Sequence, residues 1–192
     1  MARALSVTTP ATTQIITTAV AKTYLKVDVS DDDTLIDNLI KAATHSAEEY
    51  TNRYFEDTVL KMVGDTWTDI ATLYKSPVIS VSSIKYYDSD DSQQTLHASV
   101  YLVDTVSNPC QISLQVDQSF PNLSNRAMAV EVNYTVGDSA ESSATELITQ
   151  AVLLMVGHWY QNRESVVVGR TATEVPLGAK MLLDQYKIQV CR

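Results

Sequence analysis

His45, Glu48 and Glu49 come nearest to a set that could do chemistry, since helical spacing can bring an imidazole and a carboxylate to one metal ion. The helix that would carry them argues the other way. His45 falls about 180° from Ile36 on the wheel, on the solvent side, where a histidine beside glutamates is an ordinary hydrated face. His158 is the second candidate, as a base for a serine nucleophile. No serine sits in a nucleophile-elbow pattern, and the neighbours Trp159 and Tyr160 suit a packed, hydrogen-bonded histidine. Asp31-Asp32-Asp33 lacks the spacing of a calcium loop. The five glycines, Gly64, Gly137, Gly157, Gly169 and Gly178, are scattered, so no loop can cradle a phosphate. Cys110 and Cys191 have no paired spacing of the kind a disulfide framework or zinc site needs, and read as two isolated thiols. These residues name no catalytic group, no metal ligand and no cofactor.

The elements that would position such residues follow from periodicity. The first fifteen or so residues, rich in Thr, Ser and Ala, read as an extended arm, and Thr18 to Leu25 as a short helix. Ser30 to Asp33 offers capping oxygens and negative charge to the N-terminus of a long amphipathic helix from Asp32 to about Tyr54. Its stripe is Ile36, Ile40, Ala43, Ala47, Tyr50 and Tyr54. From Thr58 to about Val136 the period becomes two. Met128, Val130, Val132, Tyr134 and Val136 alternate with polar residues; Ile112, Leu114, Val116 and Ile84, Tyr86 repeat the pattern. Polar breaks at Asp88 to Ser92 and Ser107 to Pro109 suit hairpin turns, and strands without intervening helices imply an antiparallel sheet.

Helix returns from Thr145 to Arg163, now apolar all round: Leu147, Ile148, Ala151 and Leu154 on one side, Val152, Val156 and Trp159 on another. Such a helix is either central in its domain or covered by a neighbouring subunit. A small domain favours the second, which makes Leu153, Val156, Trp159, Tyr160 and Arg163 the candidate subunit interface. Glu164 to Glu174 reads as a loop containing Val166-Val167-Val168, and Pro176 opens a last short helix through Leu182, Leu183 and Tyr186. The fold class is α+β. Residues 1–56 and 137–192 supply a small helical core, with an antiparallel β region inserted at 57–136, all in one structural unit.

Composition bounds the function. With 192 residues, 45% hydrophobic and 19% charged, the chain can bury one sizeable core. A net charge of −9 opposes tight binding to nucleic acid or anionic membrane. Met1 to Pro10 lacks the apolar core of a secretion signal. The most apolar stretch, Leu147 to Tyr160, is too short to span a bilayer, so a soluble protein made in a cytoplasm is expected.

Several stretches, in order, resemble the head–tail connector (adaptor) proteins of long-tailed bacteriophages. They are Lys22-Thr23-Tyr24-Leu25-Lys26-Val27 with Asp32 to Ala43 and Glu49-Tyr50-Thr51-Asn52-Arg53; Pro77 to Asp88; Val132 to Gly137 with Gln150 to Glu164; and Glu174 to Leu183. The segment His158-Trp159-Tyr160-Gln161-Asn162-Arg163-Glu164 is the most telling. The resemblance implies a non-enzymatic virion subunit, made in the host cytoplasm and built into the neck. There it would form a ring, commonly of twelve copies. One side would dock on the portal of the DNA-filled head and the other would receive a stopper or tail-completion protein, with DNA passing through the lumen without tight binding. No membrane is involved. Within that picture Pro176, Leu182, Leu183, Tyr186, Lys187 and Arg192 become the candidate portal-docking residues, because a short apolar helix after a polar loop must bury its surface somewhere. The bland alternative is that the segment packs back on its own core. The rival functions are another neck or tail-completion protein and, in a different class, a small metal-dependent enzyme using His45, Glu48 and Glu49, or His158.

Overall fold

The computed structural model describes residues 4–137, 142–162 and 176–188. In chain order the elements are β1 (Ala4–Thr9), α1 (Thr18–Leu25), α2 (Asp33–Thr51), β2 (Thr58–Gly64), α3 (Trp67–Ile70), β3 (Thr72–Leu73), β4 (Val78–Tyr87), β5 (Gln93–Thr95), β6 (Tyr101–Asp104), β7 (Cys110–Leu114), β8 (Val130–Val136), α4 (Ser142–Gln161) and α5 (Leu177–Asp184). The mixture is α+β with antiparallel pairing throughout. The chain divides into two compact units. A helical one comprises Thr13–Phe55 and Ser139–Lys187; a β one comprises Met1–Thr12, Glu56–Asp138 and Ile188–Arg192.

In the helical unit the predicted stripe of α2 holds: Ile36, Ile40, Ala43 and Ala47 are fully buried. The helix ends earlier than its periodicity suggests. Asn52 turns into the left-handed region (φ 57°) and its N–H returns to the Glu48 carbonyl, closing the helix at Thr51. The acidic run before α2 serves differently from expectation. Asp32 occupies the N-cap position, but its side chain makes no cap hydrogen bond. Instead its carboxylate accepts from the Tyr160 hydroxyl, and Asp33 pairs with Lys22 at 2.6 Å. Tertiary partners outcompete the local cap because each ties α2 to another helix.

The all-round apolarity of α4 has an intramolecular cause. α1, α2 and α5 all pack against it, burying Ile148, Ala151, Val152, Met155 and Val156. It is the central helix of its own unit. A glycine, Gly157, makes room for one neighbour: a Cβ there would come within 3.0 Å of the Tyr24 ring of α1. α5 packs back onto α4 and α2, burying Ala179 and Leu183.

In the β unit a five-stranded sheet runs β1-β2-β8-β4-β5, and a three-stranded sheet runs β3-β7-β6. β8 is central because Val130, Val132, Tyr134 and Val136 alternate into the core, opposite Leu60 and Met62 of β2. On its other face Lys61 and Glu131 stand 3.6 Å apart and Asn133 donates to Glu131 at 2.8 Å. The N-terminal arm is extended, as expected, and additionally hydrogen-bonds as a strand to β2. Met128 lies before β8 in a positive-φ turn (φ 56°), and Val116 lies past β7, 85% exposed, so neither continues the alternation assigned to it.

Both predicted hairpin turns are built around an aspartate. Asp88 accepts from the backbone of Ser92 and Asp90 and from the Gln94 amide, and these bonds, that from Ser92 foremost, hold its carboxyl below the usual range. Asp104 does the same with the Ser107 side chain and the backbone of Ser107 and Val106.

The helix α3 was not legible in the alternating pattern. It is one turn long, held by a capping box between Thr66 and Asp69. It carries Trp67, whose ring stacks on Phe120 at 4.5 Å and whose indole N–H donates to the Pro121 carbonyl at 3.0 Å.

Cys110 is fully buried, and burial, with the Asp104 charge second, pushes its thiol up to about 11. At pH 8 its thiolate fraction is therefore on the order of a thousandth. A Cys191→Ser variant is expected to resist thiol reagents while folded and to label promptly in denaturant; rapid labelling of the native variant would contradict this.

Candidate functional site

The chemical candidates are dispersed. His45 and Glu49 are exposed on α2, while the Glu48 carboxylate accepts from the Phe55 backbone N–H at 3.1 Å, closing the turn after the helix. His158 is half-buried near the end of α4, with its Nδ1 3.4 Å from the Asn162 amide and its carbonyl accepting from that amide at 2.9 Å. Among the described residues no three His, Cys, Asp or Glu side chains converge as metal ligands would. Among them also, no helix is long and apolar enough to cross a membrane. What the helical unit presents is surface.

The residues expected at a subunit interface separate into two groups. Leu153 and Val156 face the unit's own core, at 7% and 0% exposure, so their packing partners are intramolecular. This corrects their expected place: α4 is surrounded by its own chain's helices, leaving these two side chains no surface to offer a partner. Trp159 and Tyr160 sit half-buried at the rim of the same core. The Tyr160 hydroxyl is committed to Asp32. Arg163 lies outside the described residues.

The residues expected to dock on a partner behave similarly. Leu183 is buried in the core, and Leu182 and Tyr186 are half-buried against it. For Leu183 in particular docking on a partner is excluded by its own packing. Pro176 is the N-cap of α5. Lys187 lies 4.3 Å above the Tyr50 ring, while Arg53 Nε donates to the Tyr186 carbonyl at 2.8 Å. Tyr50 in turn donates to Asp184, a bond that raises the Tyr50 hydroxyl above its usual range. Together these contacts clasp the end of α5 to α2. Arg192 lies outside the described residues.

The side of α5 that remains open lies outside the set of expected docking residues. Leu177 and Met181, one helical turn apart, are 70% and 65% exposed, with Lys180 exposed between them. α1 carries a comparable pair, Val20 at 48% and Tyr24 at 40%. Both pairs are readable as i, i+4 apolar residues. What the sequence does not say is which face of each short helix turns inward. In α5 Ala179 and Leu183 take the core, and Leu177 and Met181 are left outside.

Known proteins can now be set beside this geometry. No curated protein matches the chain. Among solved structures it is similar to a chain of the neck of an empty gene transfer agent particle with C6 symmetry (TM-score 0.76, 18% identity, 98% of this chain and 97% of that one). It is also similar to a chain of a native gene transfer agent virion (0.75, 19%, 98% and 97%) and to one of a native neck with C12 symmetry (0.64, 18%, 96% and 97%). At such identities the likeness is one of fold. Residues 14–187 match the family described as head completion protein. That match runs through α1, α2, the whole inserted β region from β2 onward, α4 and α5, and on this ground the chain belongs to the head completion protein family.

Proposed function

We propose that this head completion protein is a structural subunit of a phage-type neck. Copies of the chain, twelve by the resemblance, form a ring between the portal of the head and a stopper or tail-completion protein, and the ring extends the DNA exit channel. The observation that carries the reading is the family match over residues 14–187, supported by a fold shared with chains of necks computed with C6 and C12 symmetry. In this reading the rim of α4, Trp159 and Tyr160 with Arg163 beyond it, meets the neighbouring copy. The outward face of α5, entered at Pro176 and carrying Leu177 and Met181, meets the portal, with Arg192 and the tail reaching the same partner. An exposed apolar pair flanked by polar residues is the usual form of such a contact.

The test exploits the separation of the two faces of α5. Leu177→Glu with Met181→Glu is expected to leave the unfolding midpoint within about 0.5 kcal/mol of wild type, as surface changes do. Attachment to portal-bearing heads should fall at least tenfold. Unimpaired attachment of a folded double variant sinks the docking assignment. Trp159→Ala, followed by native mass spectrometry, is expected to shift subunits from ring to monomer.

DNA transit fits the net charge of −9, since a channel through which DNA slides must not retain phosphates. The isolated protein at physiological salt is expected to bind duplex DNA more weakly than the ~10⁻⁴–10⁻⁶ M of ordinary non-specific binders. A sub-micromolar affinity in a shift assay contradicts the passive-channel role.

A further inference from the structure

We infer that β1 is an exchangeable arm: Ala4–Thr9 of one copy seats on β2 of a neighbouring copy, in the register it adopts on its own. Four observations carry this. None of the six residues of β1 is buried, so the strand is held by no fully enclosed side chain. Leu5 and Val7 lie opposite Met62 and Leu60 yet remain 43% and 48% exposed. β1 is therefore seated by the backbone ladder from Ala4↔Val63 to Thr9↔Val59 together with the partial cover of Leu5 and Val7, and an identical strand from another copy makes the same contacts.

Beyond Thr12 the chain leaves the β unit for the helical one and returns at Glu56, so β1 is separated in sequence from the strand it pairs with. The arm is joined through Pro10, which stiffens the exit and disfavours a collapsed hinge. β1 also ends the strand order, with no described strand on its outer side. The far edge of the sheet is managed differently: β5 has three polar, exposed residues and follows Asp90 and Asp91. β1 has no charge to blunt it. Its occupant is a second copy, because β2's edge already accepts this sequence in a defined register, irregular between Val7 and Thr9. The family match begins at residue 14, so the arm lies outside the matched region.

The inference rests on the ring reading, since donor strand and acceptor edge are different surfaces, and such head-to-tail contacts give a ring when the rotation between copies closes. Each copy would donate one arm and receive one, adding backbone hydrogen bonds across every subunit boundary.

Ser6 and Lys61 are paired neighbours on β1 and β2, both on the face away from Leu60 and Met62. Directly paired residues have Cβ atoms about 4.5–5.5 Å apart, close enough for a disulfide after a small shift. In a Cys191→Ser background, with Cys110 buried, Ser6→Cys and Lys61→Cys single variants are co-expressed with different tags and oxidised. Exchange predicts a disulfide-linked heterodimer, and the double variant should run as a covalent ladder on a non-reducing gel. Absence of the heterodimer, with the double variant running as a monomer whose mass shows one internal disulfide, overturns the inference. Native mass spectrometry of the same samples separates the two readings. Oligomers with internal disulfides only reject arm exchange and leave the ring standing, whereas monomers with internal disulfides reject both.

Discussion

Ending the chain after Glu174 is expected to unfold the helical unit. The cut removes α5, and with it Ala179 and Leu183 from the buried core and the half-buried Leu182 and Tyr186 that cover it. It also removes the clasp in which Asp184, the Tyr186 carbonyl and Lys187 engage Tyr50 and Arg53. Leu183→Ala alone should cost about 2–5 kcal/mol, the range for emptying a well-packed leucine site. A domain typically has only about 5–15 kcal/mol in total. Losing the whole helix also strips the flank of α4 on which it packs. Far-ultraviolet circular dichroism with urea titration is the measurement, and native-like helicity with an unshifted midpoint would show that α5 is an appendage. The result also calibrates the docking test: truncation cannot distinguish lost attachment from lost folding, whereas changes at Leu177 and Met181 can.

The second large effect is expected at Asp69. Its side chain is 1% exposed, and its Oδ2 accepts from the Asp65 and Thr66 backbone N–H groups at 3.2 and 3.0 Å and from the Thr66 hydroxyl at 2.8 Å. Asp69→Ala leaves those donors at the start of a single-turn helix without their acceptor, at a cost on the order of 3 kcal/mol. The surroundings cannot collapse to compensate. Gly64 already packs so closely that a Cβ there would lie 2.6 Å from Asp69 Cβ. Since α3 holds Trp67 on Phe120, the variant should also show a red shift in Trp67 emission, read in a Trp159→Phe background. An unchanged spectrum with unchanged stability would mean that the turn is held by something other than the carboxylate.

Local periodicity determined a good deal by itself. α1 runs from Thr18 to Leu25 as read, because a threonine cap and one apolar turn are local facts. The stripe of α2, the alternation of β8 and the two aspartate turns are equally local, since side-chain periods of 3.6 and 2 act within a few residues. The ordered segments that resemble phage connectors were legible for the same reason, being packing patterns repeated along the chain.

What the sequence could not decide is which neighbour covers an apolar face. α4 reads identically whether a second subunit or the same chain surrounds it, and tertiary structure chose α1, α2 and α5. Val156 and Leu183 thus moved from candidate surface to core, and Leu177 and Met181 emerged as surface. The acidic run before α2 was drawn from a local cap into bonds with Tyr160 and Lys22, which lie 128 and 11 residues away in sequence. α3 was hidden because four residues carry no period, and its capping box closes on the buried Asp69. Burial is a property of the packed chain rather than of any window of it, and the surfaces available to partners are what burial leaves over.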